Sequence, residues 1–253
     1  MSIHLLGGGW AEDESSWTGR FIDEARERAD GPPTIVVVLW AADAAEGERY
    51  HADYRDDMTK LGAGTVTIVQ LTQERTLLPT DLGSADGIFI GGGLTPGYHA
   101  AVMPAADTIR GLVSTGVPYA GFSAGAMIAG DVALLGGWRI GGVPVTAESN
   151  AEGLDDVTLD AGLGLVDLVV DVHCAQYGTL SRAVAIVDAG MADRVVAIDE
   201  LTSLIIGVGG LQVAGQGNVW AVDGSGAAAH AASGTGAGAD AEPRRTSVAI
   251  LSA

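Results

Sequence analysis

In Gly121-Phe122-Ser123-Ala124-Gly125-Ala126 a single hydroxyl stands among small residues, directly after the apolar run Val117-Pro118-Tyr119-Ala120. The spacing Gly-x-Ser-x-Gly suits a strand that turns sharply into a helix with the serine at the bend. Glycines two before and two after the serine let such a strained turn form without a side-chain clash. The hydroxyl would then stand above a sheet, at the positive end of the new helix. No other side chain at the turn has nucleophilic chemistry, so the pattern points to covalent catalysis. A plain strand-to-helix turn fits the same letters, because the chain holds 38 glycines in 253 residues.

A serine nucleophile needs a base within hydrogen-bond reach. The chain offers His4, His51, His99, His173 and His230. His4 falls within a first strand, His51 on a polar helix and His230 in a low-complexity stretch. His99 opens a helix after a glycine loop and could approach the serine. His173 ends an apolar strand, and strand C-termini line the ligand crevice of a parallel sheet, so it is the preferred base. Glu200 follows another apolar strand, Val195-Val196-Ala197-Ile198-Asp199, and is the leading group to orient the imidazole. Asp131, two turns into the expected elbow helix, and Asp171, two residues before the histidine, are the alternatives. An oxyanion would need backbone N–H groups. Ala124 supplies one, and Gly91-Gly92-Gly93, which follows Gly87-Ile88-Phe89-Ile90, can supply the other.

These groups must be carried by regular elements. Short apolar runs at Ile3–Leu6, Thr34–Trp40, Val66–Leu71 and Gly87–Ile90 read as strands. Helices are expected from Ser15 or Ser16 to Gly31, over about Glu46–Leu61, and over Tyr98–Val113. The alternation predicts a parallel sheet covered by helices on both sides. After the elbow come strands at Leu168–Asp171, Val195–Ile198, Leu204–Val208, Asn218–Val222 and Ser247–Leu251, with a helix near Thr179–Asp188. The Ala/Gly/Ser-rich stretch near 225–240 is expected to be a flexible surface loop. The whole of 1–253 reads as one α/β domain.

Bulk properties narrow the function. The content of 47% hydrophobic residues supports a large core, and a net charge of −19 disfavours nucleic acid and anionic membrane surfaces as partners. With one cysteine no internal disulfide can form. No signal-peptide pattern or transmembrane-length apolar run is present, so a cytoplasmic location is expected. No Cys/His metal cluster, Walker loop or dinucleotide fingerprint is present, and no cofactor is expected. Gly/Ala-rich faces permit a homodimer.

In order, the stretches Ile88-Phe89-Ile90-Gly91-Gly92-Gly93, Gly121–Ala126, Gly162-Leu163-Gly164-Leu165 with Asp171-Val172-His173, and Ile198-Asp199-Glu200-Leu201-Thr202 resemble the cyanophycinase and dipeptidase E family of serine peptidases. The resemblance implies a class I glutamine amidotransferase-like (flavodoxin-like) fold, a three-layer α/β/α sandwich around a mostly parallel sheet. It implies Ser123 as nucleophile, His173 as base and Glu200 as third member; Gly92 and Ala124 stay the expected oxyanion donors from the reading of the residues. The dipeptidase branch places an acid where this chain has Trp138, so that arrangement is not reproduced. Glutamine amidotransferases carry cysteine at the elbow, and here Cys174 instead follows the histidine. Gly93, Thr95, Gln176 and Arg182 are the candidate substrate-binding residues. Cyanophycinases have a basic stretch after the histidine; here Tyr177 and Thr179 stand at two of its arginine places and only Arg182 remains, placed to hold one carboxylate. The expected activity is therefore hydrolysis of a small peptide or amide other than cyanophycin. A non-catalytic ligand- or partner-binding relative, and a serine amidase or esterase for non-peptide substrates, are the alternatives.

Overall fold

The computed structural model describes residues 2–225 and 245–252. The chain begins with β1 (Ser2–Leu6), α1 (Ser15–Ala29), β2 (Thr34–Trp40), α2 (Ala44–Glu48), α3 (His51–Lys60) and β3 (Thr65–Leu71). It continues through β4 (Gly87–Ile90), α4 (Thr95–Val102), α5 (Ala106–Ser114), β5 (Tyr119–Phe122) and the short α6 (Ala124–Met127). Two small hairpin-like sheets follow, formed by β6 (Val132–Gly136) with β9 (Thr158–Ala161), and by β7 (Arg139–Ile140) with β8 (Val143–Pro144). The last third holds β10 (Val169–Val172), α7 (Leu180–Asp188), β11 (Arg194–Ile198), β12 (Thr202–Gly207), β13 (Gly210–Gly215), β14 (Asn218–Ser225) and β15 (Arg245–Ser252).

The central sheet has seven strands in the order β13-β12-β1-β5-β4-β2-β3. Five of its strands run parallel, and β12 and β13 close one edge antiparallel. β2 shows why: Ile35 through Leu39 are all buried, as a strand covered on both faces must be. Ile35, Val37 and Leu39 pack with Trp17, Phe21 and Ile22 of α1, while Val36 and Val38 face the opposite core with Ile109 and Met127. Each such buried aliphatic contributes about 1.5–3 kcal/mol. The mixed α/β architecture with a mostly parallel centre matches the expected one.

Four features depart from the sequence reading. β10 and β11 do not join the central sheet; they pair parallel in a second sheet of order β10-β11-β14-β15. The helix expected over 46–61 is divided into α2 and α3, and that over 98–113 is divided at Met103–Ala105, where Pro104 lacks the N–H that a continuous helix needs. The elbow helix is one turn long. A side chain at Gly130 would meet the Leu168 carbonyl at 2.1 Å, so the chain passes close against that loop. Asp30, in the left-handed conformation at φ 52°, caps α1 one residue before Gly31. Beyond Ser225 the loop expected near 225–240, with His230, lies outside the described residues. Among the described residues no helix is long and apolar enough to cross a membrane.

Candidate active site

β5 delivers Ser123. The strand pairs with β1 up to Phe122↔Leu6, and the Ser123 N–H donates to the Leu6 carbonyl at 3.0 Å. At the next step the backbone bends to φ 51°, ψ −108°, a region that costs a non-glycine residue about 1–3 kcal/mol. Packing leaves room for the bend only because the residues two before and two after the serine have no side chains. A Cβ at Gly121 would meet the Gly125 carbonyl at 2.4 Å, and one at Gly125 would meet the Ile90 carbonyl at 2.3 Å. Gly125 N–H donates to Gly91 O at 3.1 Å, tying the elbow to the glycine loop after β4. The Ala124 N–H, first in its helix, finds no acceptor among the described residues.

His173 and Glu200 come from the second sheet. His173 ends β10 in a left-handed conformation, φ 53°, and its N–H donates to Gly7 O at 3.1 Å. Its Nε2 lies 2.8 Å from Ser123 Oγ and its Nδ1 lies 2.7 Å from Glu200 Oε1. An ionised carboxylate only accepts, which assigns the ring proton to Nδ1 and leaves Nε2 to accept from the serine hydroxyl. Tyr177 stacks on the imidazole at 4.5 Å between centroids and 15° between planes. Glu200 is fixed through its backbone: its N–H donates to Gln176 Oε1 at 2.9 Å, and the next residue, Leu201, donates to Gly8 O at 2.8 Å. Asp199 is buried and accepts from Ala175 N–H, Asn218 N–H and the Trp220 indole, so the turn after His173 is pinned to β14.

The loop Gly7-Gly8-Gly9 is the residue set that sequence reasoning missed. It holds no dinucleotide fingerprint, yet a Cβ at Gly8 would lie 2.2 Å from His173 Cε1, and one at Gly9 would lie 2.8 Å from Glu200 Cβ. Glycine here lets imidazole and carboxylate rest directly on the backbone at the end of β1. The signal was present in the sequence as a glycine run following a strand.

Several expected binding residues lie elsewhere. Arg182 is 3% exposed and faces the core. Its guanidinium holds Asp171 through two bonds of 2.8 and 2.7 Å and donates to the Gly137 and Asn150 carbonyls, so no donor is directed at a ligand. Thr95 is fully buried with its hydroxyl on Met127 Sδ at 3.6 Å. Gln176 supports Glu200. The Gly92 N–H donates to the Tyr54 hydroxyl at 3.3 Å, and its carbonyl accepts from Tyr98 at 3.0 Å. Gly93 does line the crevice. Asp171 is spent on Arg182, and exposed Asp131 lies beside Gly164. His99 bonds the Ala161 carbonyl.

Ser123, His173 and Glu200 open into one cleft of about 750 Å³. Trp10, Trp40, Tyr50, Tyr54, Tyr98 and Phe122 contribute to its walls. Burial pushes the Tyr54 and Tyr98 phenols up, so both remain protonated donors. Cys174 is buried beneath the site, and burial pushes its thiol up to about 12, which keeps it inert as a nucleophile.

Comparison with known proteins gives a consistent picture. The model of peptidase family S51 matches residues 4–213, a span that contains all three groups. Peptidase E of Haemophilus influenzae is 30% identical over 128 residues, 49% of this chain and 53% of that protein, so the chain matches about half the length of this curated relative. A peptidase from an acI-B1 Actinobacterium superposes with a TM-score of 0.64 at 18% identity, over 86% of this chain and 88% of that one. A candidate Peptidase E from Listeria monocytogenes EGD-e gives 0.53 at 16% identity, over 85% and 98%. At these identities the two structures share the fold.

Proposed function

The chain belongs to peptidase family S51, a family of hydrolases, and on that premise we propose that it is a serine peptidase that cleaves a small peptide or amide bond through Ser123, His173 and Glu200. The observation that carries the reading is the unbroken pair of short hydrogen bonds, 2.8 Å from Ser123 Oγ to His173 Nε2 and 2.7 Å from His173 Nδ1 to Glu200 Oε1.

His173 takes the hydroxyl proton as Ser123 Oγ bonds to the substrate carbonyl carbon. Glu200 holds the ring in the tautomer that can accept that proton and stabilises the imidazolium that results. The oxyanion is received by the Ala124 N–H and by Gly92, which exchanges its long bond to Tyr54 for a charged acceptor. The carbon–nitrogen bond then breaks, and the leaving amine departs with the proton from His173. Water, deprotonated by the same imidazole, attacks the acyl-serine and restores the hydroxyl.

A fluorophosphonate probe tests the reading. The folded protein is expected to gain one phosphonyl group on the tryptic peptide that holds Ser123, and to hydrolyse members of a short-peptide mixture. A folded protein that takes no adduct and cleaves nothing would overturn it.

A further inference from the structure

The walls of the cleft carry a second message. Its lining brings together Trp10 from the loop after β1, Trp40 from the end of β2, Tyr50 and Tyr54 from the α3 region, and Phe122 from the end of β5. Three of these rings contact one another: Trp10 lies edge-on to Tyr54 at 4.9 Å and tilted on Phe122 at 5.2 Å. Trp10 is nevertheless 48% exposed and Tyr50 52% exposed, with Leu94 beside them at 43%. Large apolar side chains left open around a concave site mark the place where an apolar ligand completes the packing.

The charges of the lining are equally one-sided. Among the described residues no lysine or arginine lines the cleft; its acidic side chains there are Glu46 and Glu200, and its histidine is His173. The nearby arginine of α7, Arg182, is turned inward, with four of its five N–H donors bonded to Asp171, Gly137 and Asn150. The chain as a whole carries a net charge of −19. A carboxylate entering this space would lose water, meet no counter-ion among the described residues and face the carboxylates of Glu46 and Glu200.

Resting on the serine peptidase reading, we propose that the cleft is the side-chain specificity pocket and that it takes a bulky apolar residue, an aromatic one above all, while rejecting aspartate and glutamate. The exposed rings of Trp10 and Tyr50 receive the substrate ring, with Tyr54 and Phe122 packed behind Trp10. Glu46, a lining residue carried by α2, adds the repulsion that excludes acids.

Binding to the Ser123→Ala protein tests this without requiring turnover. N-acetyl amides of phenylalanine, alanine and aspartate are titrated by calorimetry, with intrinsic tryptophan fluorescence as a second signal from Trp10 and Trp40. The phenylalanine amide is expected to bind at least about tenfold tighter than the alanine amide, since each added methylene in an apolar pocket is worth about tenfold or more, and the aspartate amide weakest of the three. Trp10→Ala and Tyr50→Ala, each in the Ser123→Ala background, should reduce the phenylalanine-to-alanine ratio severalfold, and two variants at exposed sites guard against misfolding of either. Equal affinities, or a preference for aspartate, would overturn the inference. Fluorophosphonate labelling of the wild-type protein reports separately on the nucleophile. A labelled Ser123 with an indifferent or acid-preferring cleft sinks the specificity alone, and an aromatic-selective cleft beside an unlabelled serine sinks the catalytic reading alone.

Discussion

The end of β10 carries two carboxylate partnerships two residues apart: Asp171 with Arg182, and, just past the strand, His173 with Glu200. The first is sealed. Asp171 is fully buried, Arg182 nearly so, and the four donations of the guanidinium are matched by carboxylate and backbone oxygens. Burial opposes the Arg182 charge, but the Asp171 carboxylate more than offsets it and raises the guanidinium pKa. The second is partly open: the His173 and Glu200 side chains are 17% and 24% exposed, and both reach the cleft. A buried pair whose guanidinium spends four of its five donors on internal oxygens holds the segment around Gly137 and Asn150 against α7 rather than a ligand. A pair with one nitrogen aimed at a hydroxyl can move a proton. The same chemical types, two residues apart, thus separate scaffold from site by burial and access.

Removing the group that the open pair serves should have the largest effect. Ser123→Ala is expected to lower kcat by about 10⁶-fold with little change in melting temperature, measured on the best peptide substrate. Glu200→Gln keeps the shape but permits the wrong ring tautomer, and should lower kcat by about 10⁴-fold while the protein still binds substrate. Breaking the sealed pair should reverse the pattern. Arg182→Met should destabilise the fold by about 3–5 kcal/mol in urea unfolding, because it strands Asp171. Adding Asp171→Leu should recover part of that loss, the remainder reflecting the Gly137 and Asn150 carbonyls left unpaired. Full activity and unchanged stability in Arg182→Met would dissolve the contrast.

The smallest effect concerns a third carboxylate that has neither role. Glu14 is buried, leaves Oε1 unpartnered, and accepts from Ala11. Burial, aided by repulsion from Asp57, pushes it up to about 7 from an ordinary value of 4.5. The folded state therefore binds a proton that the unfolded state has released between those values. Its contribution is complete below pH 4.5 and lost as pH rises through 7. Glu14→Gln should match the wild type near pH 4.5 and exceed it at pH 8 by up to on the order of 3 kcal/mol, read as melting temperature against pH. Parallel curves for the two proteins would remove burial as the cause.

The three groups of the open pair and its serine were legible because each ends an apolar strand, and apolar strands ending in polar residues are a local signal. What was not legible was which sheet each strand joins: β10 and β11 read like central strands, and only the pairing partner distinguishes them. Arg182 read as a ligand-facing arginine, although its position four residues before buried Ile186 places it on the inward stripe of α7. Asp131 read as helical although Gly130 before it is an ordinary stop signal; the closeness of the Leu168 loop to Gly130 fixes the break there. The aromatic walls were invisible for a different reason. Trp10, Trp40, Tyr50, Tyr54 and Phe122 come from separate elements, and each alone resembles an ordinary core residue.

The end of β1 bears on when this chemistry comes into being. Ser123 hangs from Leu6, His173 from Gly7, and Leu201 from Gly8, so the first strand is the common fastening of parts drawn from three distant places in the chain. During synthesis the alcohol leaves the ribosome well ahead of its acid, and domains order from the N-terminal side first. A half-finished chain therefore carries an ordinary, unreactive serine. On the proposed mechanism, the capacity to attack amides would arrive only when the segments holding His173 and Glu200 pack against the opening strand.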